Sequence, residues 1–420
     1  MTVGFKKTWL SVSLLAISLT GCDKLNTHKT DNQSNKVASA PSVISTTIDT
    51  PSKHVVLGTG KGTFAGTNSP LELYVLDNLN KLRNQCGFGQ LTSNTELNKA
   101  AYNHANYLAY VSTYNQDPFT THREQDEFFE NKAYVSYTGK SNPYYSGEKS
   151  VDRLNTDKIA DKATPVKYNV AYSTESLGLS RFVTRQPIVS IDNKADAKEM
   201  LFNLLASPYQ MQGLLFPEYK DIGVSYVASN WKNGDVNTMG GFLVMLSAFT
   251  KNTPRMPNTK LITYPCEGAT VAYKGDSDSL NPFEIDRDLQ QDPIGQPIYL
   301  LSPVYKNIDD VSASLTSKGR EFGLLGLVTR KNDPNQRLHP YEALVIPDTP
   351  LTPNETYHVD LLITYEDSSQ EKRSFSFKTQ PAFNKEKLIT IQKGSDPMSI
   401  ASTTAVIPNT SPAIVPDIAK

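Results

Sequence analysis

Phe242-Leu-Val-Met-Leu246, inside the run from Gly241 to Phe249, is a nearly unbroken apolar stretch. It reads as a strand buried on both faces, which needs a covering layer above and below. Ile222 to Val227 reads as a second strand just before it. Towards the N-terminus the apolar period becomes helical. Met200, Leu201, Leu204 and Leu205 share one side of a helix over about Ala195 to Ala206, with Pro208 as its terminator. Leu97, Ala100, Ala101, Ala105 and Leu108 line one face of a helix from about Glu96 to Tyr110, and His104 sits on that face. Leu71, Val75, Leu79 and Leu82 mark an earlier helix that stops at Gly87. Helices followed by strands predict an α+β layered domain.

Working outward in the other direction, Pro254, Pro257 and Asn258 form a junction. Beyond it, strand-like runs at 297–301, 311–315, 322–329, 341–346, 357–365 and 373–379 alternate with Asp, Asn, Pro and Gly turns. This pattern predicts an all-β sandwich over 260–380. Residues 113–170 are polar and rich in Tyr, Asn and Lys, and read as a long loop. Its Tyr134, Tyr137, Tyr144 and Tyr145 suit either glycan or partner contacts or packing on their own domain. Residues 381–420 return to Ser, Thr, Pro and Lys and are predicted to be a disordered tail.

Lys6 and Lys7, the short apolar run Trp9–Leu19 and the small residues Thr20 and Gly21 have the layout of a secretory signal peptide over 1–21. The h-region is too short to span a bilayer. Leu-Thr-Gly-Cys22 resembles a bacterial lipobox, in which the cysteine is acylated and becomes the mature N-terminus. Two acyl chains anchor stably, because each buried CH₂ contributes about 0.8 kcal/mol. The expectation is a cell-envelope lipoprotein facing the periplasm or exterior. Asp23 and Lys24 leave the choice of membrane open. Residues 22–67 then form the acylated cysteine and a polar, disordered tether. Gly58–Thr63 lacks the Gly-x₄-Gly-Lys-Ser/Thr spacing of a phosphate loop and reads as linker. A net charge of −1 over 420 residues gives no footprint for nucleic acid. With Cys22 acylated, Cys86 and Cys266 remain, and an oxidising compartment favours their pairing.

The ordered motifs of residues 68–253 resemble one known family. Leu79-Asn-x-x-Arg83-x-x-Cys-Gly87-x-x-x-Leu91 is similar to the opening of the CAP superfamily of cysteine-rich secretory, antigen 5 and pathogenesis-related 1 proteins. Leu97-x-x-Ala-Ala-x-x-His104-Ala-x-x-Leu108 resembles its second helix, and Phe119-Thr-Thr-His122 the Phe-x-His that follows. Asp152-Arg153-Leu154, Ser173-Thr-Glu175-Ser-Leu-Gly, Leu204-Leu-Ala-Ser207-Pro-Tyr-Gln210 and Ile222-Gly-Val224 resemble later family segments in the family order. The resemblance implies a three-layer α-β-α sandwich with a cleft. It extends the architecture to a CAP domain followed by a sandwich that resembles bacterial immunoglobulin-like modules, through Leu351-Thr-Pro-Asn-Glu-Thr-Tyr357.

In many family members two His and one or two Glu line the cleft, sometimes around a divalent metal. His122 and Glu175 fall on the first positions of that set; Gln210 replaces the second His, and Ser207 stands where a second Glu occurs. His122 and Glu175 are thus the candidate catalytic pair, with Ser207, Gln210 and Arg153 as cleft candidates for binding. Arg153 is read as pairing with a carboxylate, His104 as a packed core histidine and Glu124 as solvated. A neutral amide is a poor zinc ligand, so no cofactor is expected beyond weak divalent metal. No nucleophile motif is present. The leading expectation is a non-catalytic module that binds an envelope lipid, glycan or protein. A His/Glu hydrolase, metal-assisted or not, and a structural or adhesive protein are the alternatives.

Overall fold

The computed structural model describes residues 66–391 and 401–406, apart from 67, 128–136, 157–161, 254–257, 276–281, 283–286, 290 and 304–305. The signal peptide, Cys22, the tether and Tyr134 lie outside the described residues. The architecture is mixed α+β.

Helix α1 (Pro70–Cys86) starts at a reciprocal cap. Glu72 N donates to Ser69 Oγ at 3.2 Å, and Ser69 N donates to Glu72 Oε2 at 2.7 Å. It ends at Gly87, whose φ of 88° favours glycine. After β1 (Thr92–Ser93), helix α2 (Thr95–Asn115) is capped by Asn94. It runs past the predicted end at Tyr110, with the Tyr114 ring tilted against Tyr110 at 4.5 Å one turn later. The short strands β2 (Asn155–Thr156) and β3 (Val166–Lys167) precede β4 (Val170–Thr184) and β5 (Ile188–Ile191).

Helix α3 (Asn193–Leu205) is followed at once by α4 (Pro208–Leu215). Pro208 therefore starts a helix as well as ending one. At the first helical position its missing N–H costs nothing and its fixed φ already suits the helix. Two long strands, β6 (Asp221–Asn233) and β7 (Val236–Thr250), complete this part.

The central sheet has the order β1-β6-β7-β4, continued beyond β4 by a strand of the tail (Ala401–Val406), with helices on both faces. Phe242 and Val244 of β7 pack with Ala101, Ala105 and Leu108 of α2. Leu243 and Met245 point the other way, into a core with Val75 and Leu79 of α1 and Met200 and Leu204 of α3. This alternation explains the unbroken apolar run: both faces of β7 are interior.

The second part contains β8 (Ile262–Tyr264), β9 (Thr270–Val271), β10 (Ile298–Leu301), β11 (Ile308–Ser317), β12 (Arg320–Glu321), β13 (Leu324–Thr329), β14 (Glu342–Pro347), β15 (Thr356–Tyr365) and β16 (Gln370–Thr379). They form one sheet of order β13-β14-β10-β8 and another of order β12-β11-β15-β16-β9. Tyr299 and Val345 of the first meet Val359 and Phe377 of the second in a core cluster that also holds Val75, Met200 and Ile222. The apolar core thus runs through both parts instead of dividing at the Pro254–Asn258 junction. The Cys86–Cys266 disulfide joins the end of α1 to the second part across 180 residues. Closing a loop of that length removes up to roughly 5 kcal/mol of chain entropy from the unfolded state.

Two stretches of the tail differ from the expected disorder. Leu388 and Ile389 pack with Phe182, and β17 (Ile389–Ile391) pairs with β5. Strand β18 (Ala401–Val406) pairs antiparallel with β4, Ala401 opposite Val183. A short apolar run in a polar tail becomes ordered because Ile188 and Ile191 offer it a surface.

Candidate functional site

Five side chains converge on the α2 face of the central sheet. Helix α2 supplies His104, β4 supplies Glu175, the segment after α2 supplies His122 and Glu124, and the 3-10 turn Asp152–Leu154 supplies Arg153. All are buried, from 0% exposure for His104 and Arg153 to 5% for His122 and Glu175.

The contacts sort into one ion pair, two histidine–glutamate hydrogen bonds and two buried nitrogens without a hydrogen-bond partner, His122 Nε2 and Arg153 Nε. Arg153 Nη2 donates to Glu175 Oε2 in a close ion pair, and its Nη1 donates to the His122 carbonyl at 3.1 Å. His104 faces two acceptors, Glu124 Oε1 at 2.9 Å from Nδ1 and the Thr121 carbonyl at 2.9 Å from Nε2. Both His104 nitrogens therefore face acceptors inside the cluster. Glu124 Oε2 accepts from Ser146 N at 2.6 Å. His122 Nδ1 lies 3.0 Å from Glu175 Oε1, while its Nε2 is buried without a hydrogen-bond partner.

Electrostatics follow from this geometry. Burial alone would raise the Glu175 carboxyl, but Arg153, then His104 and His122, hold it well below the usual carboxylate range. Burial lowers His122 against the opposing pull of Glu175. Burial would also lower Arg153, but Glu175 and Glu124 more than offset it and keep the guanidinium charged. His122 is thus a neutral imidazole that donates Nδ1–H to Glu175 and keeps a lone pair on Nε2.

His122, Glu175 and Arg153 come together. Gln210 engages a different group, its Oε1 accepting the Leu177 N–H of β4 at 3.0 Å. The Ser207 carbonyl accepts Met211 N at 2.8 Å at the start of α4. Glu124 is 1% exposed instead of solvated, because His104, Ser146 and Arg153 surround it. Its two-residue spacing from His122 on an extended segment was the available signal. His104 is a core histidine with both nitrogens engaged, and it also stands 3.7 Å from Glu175. Among the Tyr-rich loop residues, Tyr137 stacks on Tyr114 at 5.4 Å and Tyr144 lies edge-on to Tyr110 at 6.1 Å.

The donor set does not fit a divalent metal. Glu175 is neutralised by Arg153, Glu124 is hydrogen-bonded to His104 and the Ser146 amide, and both His104 nitrogens are engaged. His122 Nε2 offers an open lone pair, but one imidazole nitrogen does not make a metal site. Among the described residues no group of three or more His, Cys, Asp or Glu is arranged to hold a metal ion, and no helix is long and apolar enough to cross a membrane.

No family model matches this chain, and no curated relative does. Two similar solved structures are CopC from Methylosinus trichosporium OB3b and PcoC, a methionine-rich copper resistance protein from Escherichia coli. CopC is 14% identical, with 30% of this chain and 98% of CopC covered at a TM-score of 0.21. PcoC is 18% identical, with 30% of this chain and all of PcoC covered (100%) at a TM-score of 0.19. Likenesses at these TM-scores carry no argument about the remainder of the chain or its activity.

Proposed function

We propose that the protein is an acylated envelope lipoprotein whose CAP-like part is a non-catalytic binding module for a lipid, glycan or protein, carried with an immunoglobulin-like sandwich. The helix-sheet-helix layering and the family order of the motifs support the CAP reading. One observation carries the binding reading: both carboxylates of the buried cluster are engaged internally, Glu175 by Arg153 and Glu124 by His104, and His122 Nε2 is left as the cluster's open acceptor. A ligand that reaches this buried nitrogen can donate one hydrogen bond to it, but the cluster lacks the ligand set for a metal.

Zinc titration of the purified chain beside His122→Ala tests this. Neither protein is expected to bind zinc at the cluster; tight binding lost only in His122→Ala would overturn the reading in favour of metal-assisted hydrolysis. A second reading has one observation behind it, the Glu175–His122 pair with its free Nε2, which is also the geometry of a general base. His122-dependent turnover of p-nitrophenyl acetate would favour it. The anchor is tested separately. Cys22→Ala is expected to move the protein from the membrane fraction to the soluble or unprocessed pool, and unchanged partition would refute acylation.

A further inference from the structure

The second part of the chain grips one short helix of the first. Tyr209 of α4 donates to Asp333 Oδ1 at 2.5 Å, and Asn335 donates to the Tyr209 oxygen at 3.1 Å. One turn on, Gln212 donates to Glu342 Oε2 at 2.6 Å and to the Arg337 carbonyl at 3.2 Å. Gln296 donates to the Leu205 carbonyl at 2.8 Å, just ahead of α4. Asp333, Glu342 and Gln296 are all buried, so these bonds are shielded from competing water. Asp333 is itself fixed by the Arg337 and Leu338 amides at 2.6 and 2.9 Å, so the acceptor is rigid.

Helix α4 in turn bears on β4 on either side of Glu175. Gln210 accepts the Leu177 N–H, and Gly213 lies so close to Thr174 that a methyl there would come within 3.0 Å of its Cγ2. A row of rings runs alongside: Tyr172 of β4 stacks on Tyr219 at 5.9 Å, Tyr219 meets Phe216 at 5.6 Å, and Phe216 meets His339 of the second part at 5.6 Å.

We infer that the C-terminal sandwich is a brace that positions Glu175 by holding α4 against β4, and not a detachable spacer. Tyr209 and Gln212 are then positioning residues that act on the site through β4. How the cluster is held is independent of what it binds.

Amide hydrogen exchange on the full chain tests it, comparing wild type with the Tyr209→Phe, Gln212→Met double variant. Losing these bonds is expected to speed exchange at residues 211–215 and at the Leu177 amide by about tenfold, with α2 residues 101–108 unchanged. The His122 Nδ1–H resonance, which reports the bond to Glu175, is expected to shift as well. Acceleration confined to residues 333–342, or faster α4 exchange with an unmoved His122 resonance, would overturn the brace. Should the double variant fail to fold, Asn335→Ala removes only the weaker bond to Tyr209 and is read the same way.

Discussion

Replacing Arg153 with methionine is expected to destabilise the fold by about 3–5 kcal/mol at neutral pH, the range for breaking a buried ion pair from one side. Arg153 is fully buried and holds Glu175, with Glu124 3.7 Å from its Nε. Methionine fills much of the volume but leaves Glu175 charged and uncompensated in an apolar setting. The pH dependence provides the sharper check. In the wild type, Glu175 lies below its ordinary value, so its contribution is complete above about pH 4.5 and is lost as pH falls towards its folded pKa. His122 is also lowered in the fold, so its contribution is complete above about pH 6.5 and is lost on acidification. Both groups make wild-type stability fall towards acid. Without Arg153 the largest influence holding Glu175 down is gone, so its folded pKa moves up towards the ordinary carboxylate range and the variant loses less stability on acidification than the wild type. Guanidinium unfolding of both proteins across pH 4–8 measures this. A loss below about 1 kcal/mol, or parallel pH profiles, would show that Arg153 does not hold the cluster.

Gly223→Ala is expected to cost about 3 kcal/mol or more, at the upper end of overpacking effects. Gly223 lies in β6 where α2 crosses the sheet with its backbone directly on the strand. A methyl built there would fall inside the Leu97 carbonyl, and the Asn98 amide nitrogen would lie 2.6 Å away. Backbone atoms cannot rotate aside as a side chain can, so α2 must lift. Lifting α2 would break the bond from Val224 N to Asn98 Oδ1 at 3.1 Å and would move His104 on the same helix. Thermal unfolding of the variant checks the size of the loss. A shift of under about 2 °C would mean that the helix accommodates the methyl without strain.

The regular elements that bury one clean apolar stripe were legible in the residues. The first three helices and the six strand runs beyond residue 297 fall close to their predicted positions, because period 3.6 and period 2 are local signals. Strand β4 was not legible: Ser173, Thr174, Glu175, Ser176 and Ser180 interrupt any apolar alternation, and the strand is held instead by β7 along nearly its whole length. Helix α4 was hidden behind Pro208. Glu124 reads as an ordinary surface acid until the Ser146 amide, His104 and Arg153 are brought to it from three separate segments.

The residues by themselves determined the layered α+β class and the all-β second part, since these rest on spacing and residue type, while the His122, Glu175 and Arg153 candidates came from the family resemblance of their motifs. Only the tertiary structure decided how those candidates are charged, that Glu124 and His104 join them, and that one core serves both parts. The reason is physical. Proton placement and desolvation depend on neighbours tens of residues away, such as Glu175 beside His122 at a separation of 53 residues, and no local pattern encodes such pairs.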